Sequence, residues 1–287
     1  MAHMSTAVRF ALHSTVLDNG LRVVVNHDPT VPVVAVNLWF DVGSRDEQPG
    51  RTGLAHLFEH LMFEGSANVA SGEHLAIVQS VGGSANATTW FDRTNYFETV
   101  PTGALDLALW LEADRLASLQ VTQHNLDNQR DVVMEEKRQR YDNVPYGDVL
   151  IQLIALTFPD GHPYHHPTIG WAEDMATLTG EDAKNFFNTH YRASNLILIV
   201  GGNVTTAEVR RDAQRYYGSL PAGAAPTRNW PKEPPFRLTR RATMKDANVR
   251  EPRIIRQYVA PSLGDGATAQ ALPLSLFAQY LGGGDSS

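Results

Sequence analysis

GLAHLFEHLMFEGS, residues 53–66, decides how this chain is read. Leu54, Leu57, Phe58, Leu61, Met62 and Phe63 give it the apolar content of a buried helix. His56, Glu59 and His60 interrupt that run. Burying an ionisable group is costly unless a partner compensates for it. Residues four apart on an α-helix lie one turn above another on the same face. His56 and His60 therefore aim the same way, as two nitrogens must to share one ion. Glu59 lies near that face but offset from it, so its carboxylate can reach a water at the ion without displacing a ligand.

The order H-x-x-E-H reverses the H-E-x-x-H of the common zinc proteases and is the inverzincin signature. The chain has no cysteine, so any further ligand must be His, Asp or Glu. Two histidines and one more carboxylate leave zinc (Zn2+) a fourth position for water, the arrangement of a catalytic site. A water there has a pKa of about 7. Glu59 would take its proton and pass it to the leaving amine. The third ligand should be an acid from another element, and NQRDVVMEEKRQR, from Asn128, is a predicted helix with two candidates. Leu126, Gln129, Val133 and Glu136 fall along one face, whereas Glu135 shares a more solvated side with Asp131 and Asn128. Helical phase favours Glu136 and leaves Glu135 open. DGHPYHHP, with His162, His165 and His166, has no acid at ligand-like spacing and reads as a structural loop.

Composition narrows the function classes. With 287 residues and a 43% apolar fraction the chain can hold a core and more than one domain. A net charge of −7 and the absence of any basic block argue against nucleic acid and against a polybasic membrane patch. No apolar run is long enough to span a bilayer. MAHM, residues 1–4, reads as a cloning remnant and is set aside. The compartment stays open, with the cytoplasm as the default and export compatible with a signal removed upstream.

Around the central helix the chain mixes strands and helices. Asn19-Gly20 marks a hairpin, residues 33–44 a longer strand, and residues 84–100 a hairpin about Asp92-Arg93. Helices are expected over 53–64, stopped by Gly65, and over 71–81, capped by Ser71. Others follow over 102–119, 122–141, from Pro145 to Phe158, after a Thr179 cap, and over 205–217. NLILIVGG, from Asn195, is a buried strand. The absence of a regular βαβ alternation predicts an α+β fold with a mainly antiparallel sheet flanked by helices.

SLPAGAAPTRNWPKEPP, residues 219–235, contains five prolines and reads as a linker that closes a first domain over 5–218. Beyond it, LSLFAQYLGGG from Leu274 can be laid on AHLFEHLMFEG from Ala55 at an offset of 219 residues. Leu276 and Phe277 then match Leu57 and Phe58, and Gly284 matches Gly65. Ser275, Ala278 and Gln279 stand where His56, Glu59 and His60 stood. IIRQYVAPS, from Ile254, parallels AVNLWFDVGS as a strand leading to that helix. Residues 236–287 therefore read as the start of a second, metal-less copy, and a full repeat implies a chain of about 430 residues.

His56, Glu59 and His60, followed by an acid in RDVVMEE, resemble the pitrilysin or insulinase family of zinc peptidases. GSRDEQPGRTGLAHLFEHLMFEGS, GGSANATTWFDRTNYFETVP, EKRQRYDNVPYGD and GHPYHHPTIG carry the resemblance from about residue 15 onward. It is closest to the bacterial branch similar to mitochondrial processing peptidases. The resemblance implies that family's repeated domain, His56, His60 and Glu136 as zinc ligands, and Glu59 as general base. It also implies that Ser84, Ala85, Asn86, Ala87 and Thr88 bind an extended peptide or unfolded segment as an added strand. Asn86 and Ala87 fall on the family's substrate-contacting positions. Two departures accompany it. Gln129 occupies the place of a second Glu in many relatives and is expected to support a ligand by hydrogen bonding. The Arg-Tyr pair that closes the family's site from the second domain lies beyond this chain. The closing domain would then come from further sequence, a second copy or a paralogue. The leading expectation is a zinc endopeptidase, and the alternative is a non-catalytic subunit of a heteromeric peptidase.

Overall fold

The computed structural model describes residues 10–224, 226–229, 239–247, 249–264 and 266–282. The chain divides into two compact units, Met1–Pro231 and Lys232–Ser287.

The first unit is built on one six-stranded sheet. β1 (Leu12–Val16) and β2 (Arg22–His27) form the Asn19-Gly20 hairpin, and β3 (Val33–Phe40) follows. α1 (Leu54–Leu61) and α2 (Glu73–Ser80) precede the hairpin of β4 (Ser84–Thr89) and β5 (Thr94–Pro101). α3 (Leu105–Ser118), α4 (Gln123–Lys137), α5 (Val149–Thr157), α6 (Ala172–Met175) and α7 (Gly180–His190) then lead to β6 (Leu196–Gly202) and α8 (Thr206–Tyr217). The strand order is β1-β2-β6-β3-β5-β4. β6 pairs with β2 in parallel and with β3 antiparallel, while the other pairings are antiparallel. The fold expected from the sequence is therefore present, a mainly antiparallel sheet flanked by helices.

Period-two patterning assigns the sheet's faces. Val34, Val36, Leu38 and Phe40 alternate inward on β3, and Leu196, Leu198 and Val200 do so on β6. α1 packs on that inner face through Leu57 and Phe58, both fully buried, each worth about 1.5–3 kcal/mol against exposure. The Phe58 ring packs 5.6 Å from Phe186 and 5.3 Å from Tyr191, and its carbonyl accepts the Tyr96 hydroxyl at 3.3 Å. A core helix is thus pinned between β5 and α7 with its polar side turned away.

Several local expectations are corrected. α1 ends at Leu61, and residues up to 64 continue as turns. Gly72, not Ser71, caps α2, because the Ser71 hydroxyl donates instead to Glu64 at 3.0 Å. α4 ends at Lys137 and passes into a wider π-turn over Arg138–Asp142. Pro145 opens no helix, since Tyr146 takes φ 64° and left-handed backbone cannot start a right-handed helix, so α5 begins at Val149. The boundary between the two units, at Pro231, falls inside the stretch read as a linker, 219–235. Ala193 and Ser194 donate to the carbonyls of Pro221 and Ala222, and Arg228 binds Asp46 at 2.6 Å and Asp41 at 2.7 Å, tying part of the proline-rich stretch down.

In the second unit α9 (Thr268–Gly282) forms where the repeat expects a helix, with Pro273 inside it. Among the described residues 254–262 form no strand, because the parallel with residues 35–44 rested on residue type and β-propensity alone does not make a ladder. Leu276 and Phe277 are 74% and 58% exposed, in contrast to the buried Leu57 and Phe58 they align with. Gly284 and residues 1–4 lie outside the described residues, as do residues 230–235 of the expected linker.

Candidate metal centre

α1 packs against both β4 and α4, and these three elements assemble the site. His56 is buried in the first turn of α1, and His60 follows one turn on with its side chain 22% exposed. The rings lie 5.0 Å apart and nearly perpendicular. Glu136, one residue from the end of α4, brings Oε2 to 3.6 Å from His56 Nε2 and 3.4 Å from His60 Nε2. The three ligand atoms all fall within 4.8 Å of one another. Two atoms bound to one tetrahedral zinc at about 2.1 Å stand about 3.4 Å apart. The observed separations are too long for a hydrogen bond and match that edge, so the donor set fits one small divalent ion.

Protonation agrees with ligation. Burial lowers the His56 pKa to about 4, with His60 and Arg140 acting the same way and Glu136 opposing, so the imidazole is neutral at neutral pH. Burial works against ionised Glu136, but the facing His60, His56 and Arg140 together hold it below the usual carboxylate range. The Arg140 guanidinium grips its second oxygen, Oε1, at 2.6 Å. Glu135, the alternative left open by helical phase, is exposed and bonds Arg138 and Gln139 instead. His56 Nδ1 is buried without a hydrogen-bond partner among the described residues, so packing and backbone alone aim that ring.

Glu59 stands beside the trio rather than within it. The Thr89 hydroxyl donates to its Oε2 at 2.6 Å. Burial raises its pKa, while Thr89, His60 and Arg93 restrain the rise. Such a carboxylate is a better base toward water than an exposed one.

β4 lies at an edge of the sheet. Trp90 N–H donates to the Arg93 carbonyl at 2.9 Å and closes the β4–β5 turn. Antiparallel alternation from that turn pairs Ser84, Asn86 and Thr88 with β5 and directs the main-chain groups of Ala85, Ala87 and Thr89 outward. The Asn86 side chain accepts the Ala87 N–H at 2.8 Å, covering one of those outward donors. Gln129 is placed away from its expected role: its amide donates to Glu64 at 2.6 Å, two helical turns before Glu136 and with no described bond to a ligand.

A second cluster, His74, Glu98 and Glu112, was not legible in the sequence. All three are buried, and His74 Nε2 lies 2.7 Å from Glu98 Oε1. That is a hydrogen bond and too short for two ligands of one ion. Arg115 already supplies a cation, donating to Glu112 Oε2 at 3.0 Å while stacking over Tyr96 at 4.5 Å. Burial raises Glu112 to about 7 against the pull of Arg115. The cluster is thus closed by its own hydrogen bond and the Arg115 ion pair. The histidine-rich loop likewise gathers no metal group among the described residues: His162 stacks on Phe158, His165 binds the Phe158 carbonyl, and His166 turns toward Glu47.

Thr89, Arg140 and Glu47 also belong to the site's surroundings and were missed. Arg140 was readable from its position four residues after Glu136. Thr89 needed the strand register, and Glu47 needed the tertiary fold.

Comparison with known proteins places these features in a family. The family model described as Insulinase (Peptidase family M16) matches residues 22–170, and that described as Peptidase M16 inactive domain matches 177–287. "Zinc protease PqqE" of Helicobacter pylori is 36% identical over 72% of this chain and 47% of its own length. "Uncharacterized zinc protease YmxG" of Bacillus subtilis is 28% identical over 80% of this chain and 56% of its own length. A crystal structure of a protease from Helicobacter pylori superposes with a TM-score of 0.72 at 34% identity, over 78% of this chain and 53% of the other. The chain spans about half the length of the curated relatives it matches.

Proposed function

The chain belongs to the insulinase family, peptidase family M16, and from that premise we propose that it carries the zinc centre of an endopeptidase acting on peptides or unfolded segments bound as an extended strand. The observation that carries this reading is the separation of Glu136 Oε2 from His56 and His60, 3.6 and 3.4 Å, which is the edge length of a tetrahedral zinc site. His56, His60 and Glu136 would hold the ion. When bound, zinc supplies a Lewis acid that acidifies water and polarises a carbonyl.

The remaining chemistry falls to side chains and backbone of this chain. Glu59, steadied by Thr89, takes a proton from the attacking water at Oε1 or Oε2 and returns it to the departing amine nitrogen. The outward main-chain groups of Ala85, Ala87 and Thr89 pair with the substrate backbone, which selects an extended conformation and leaves side-chain preference to the flanking surface. Asn86 gives up its bond to Ala87 when that N–H pairs with a substrate carbonyl. Because the relatives are about twice as long, we place the closing half of the site in further sequence or in a paralogous partner chain.

The test uses the full reading frame. Wild type should bind one zinc per chain by mass spectrometry and cleave a fluorogenic peptide in a chelator-sensitive way. Glu59→Gln should keep the zinc and lose cleavage by about 10²–10⁴-fold. A zinc-loaded Glu59→Gln protein that cleaves at the wild-type rate overturns the mechanism, and a metal-free, inactive wild type leaves a binding subunit instead.

A further inference from the structure

Gly53 turns into α1 at φ 92° and offers no side-chain cap, although a helix start leaves main-chain N–H groups without partners. A carboxylate from upstream fills that role. Glu47 Oε2 accepts the Gly53 N–H at 2.8 Å, and Oε1 accepts the Ala55 N–H at 2.7 Å. The Glu47 side chain is 0% exposed, so no solvent can stand in for it. Ala55 is the residue immediately before His56, and its peptide leads directly into the first histidine.

The same turn is braced from behind by the segment around GHPYHHPTIG. Thr52 donates its N–H and hydroxyl to Asp174 at 3.2 and 2.7 Å and accepts the Trp171 N–H at 2.9 Å. Gly170 backs onto Gly53 so closely that a Cβ there would sit 2.5 Å from Gly53 Cα. His166 Nδ1 lies 3.5 Å from Glu47 Oε2.

We infer that Glu47 is a positioning residue for the metal centre, setting the tilt and phase of α1 through its first turn. The inference rests on the zinc reading above. α1 has only eight residues, so it spans about 12 Å and has no spare turn in which to absorb an error. A tilt of about 5° moves its far end by about 1 Å, several times the ~0.2 Å tolerance of a metal–ligand distance. His56 has no Nδ1 hydrogen bond to re-aim it, so backbone and packing set its direction.

The experiment compares wild type, Glu47→Gln and Thr205→Ala, which removes an ordinary cap at α8, a helix packed on α3 and β2. Each is loaded with cobalt(II) as a spectroscopic stand-in and titrated with zinc against a chelator, using the folded fraction from circular dichroism. Glu47→Gln should weaken zinc binding about 10–100-fold and shift the cobalt visible bands. Thr205→Ala should lower Tm while leaving both unchanged. If Glu47→Gln does not fold, Thr52→Val loosens the same turn through Asp174 and carries the same expectation. Unchanged affinity and spectrum in the folded Glu47 or Thr52 variant overturn the inference and leave the zinc reading intact. A wild type that binds neither metal overturns both.

Discussion

The choice between two adjacent acids shows what a single residue contributes. Glu135 and Glu136 differ in sequence by one position and on the helix by about 100° of rotation. Glu136 meets two imidazoles, while Glu135 meets Arg138 and Gln139 at the surface. On the proposed zinc reading, Glu136→Gln should therefore cost zinc affinity about 100-fold in chelator competition, since it would remove a charged donor from the ion. Glu135→Gln should leave affinity unchanged, because an exposed i,i+3 pair contributes little. Equal losses in the two variants would mean the ion is held elsewhere. Gln129 makes the complementary point. Its type suggests support for a ligand, yet its amide reaches Glu64, because helical phase fixes direction and not height along the axis.

At the scale of elements, the buried cluster of His74 on α2, Glu98 on β5 and Glu112 on α3 joins three segments behind the metal centre. Arg115 extends it to the turn that follows α1 by donating to the Met62 carbonyl at 3.4 Å. Burial lifts the Glu112 pKa from 4.5 to about 7, so the folded protein keeps a proton that the unfolded chain releases. A raised folded-state pKa stabilises fully below the unfolded value and loses that contribution as pH rises through the folded value. The stability of wild type relative to Glu112→Gln should thus fall by about 3 kcal/mol between pH 4.5 and pH 8. His74, lowered to about 4 by burial, pulls the opposite way up to pH 6.5 in both proteins and so largely drops out of the difference. Urea midpoints at the two pH values measure it, and a pH-independent difference would place the proton elsewhere.

Across the whole molecule, the assembled donors and Glu59 all lie within Met1–Pro231, and Ser275, Ala278 and Gln279 offer no equivalent set in α9. A protein cut back to residues 1–231 should keep the Tm of its first unit and one zinc site, as scanning calorimetry and metal analysis would show. Loss of zinc on truncation would require a ligand from the second unit. Much of this organisation was legible from local pattern alone. Partial alternation marked β3, a short apolar run marked β6, Asn19-Gly20 marked the first hairpin, and the spacing of His56 and His60 set both on one face of α1, because period and turn chemistry are properties of neighbouring residues. Local pattern could not choose between Glu135 and Glu136, place Thr89 on Glu59, or bring Glu47 to the start of α1. It also misplaced the α2 cap and the start of α5, where Ser71 bonds Glu64 across a loop and Tyr146 adopts left-handed backbone. The sequence by itself thus determined which side chains are available and which helix face carries the histidines. Only the tertiary structure decided which acid meets them and what holds that helix in place, since contacts between distant segments depend on sheet register and packing.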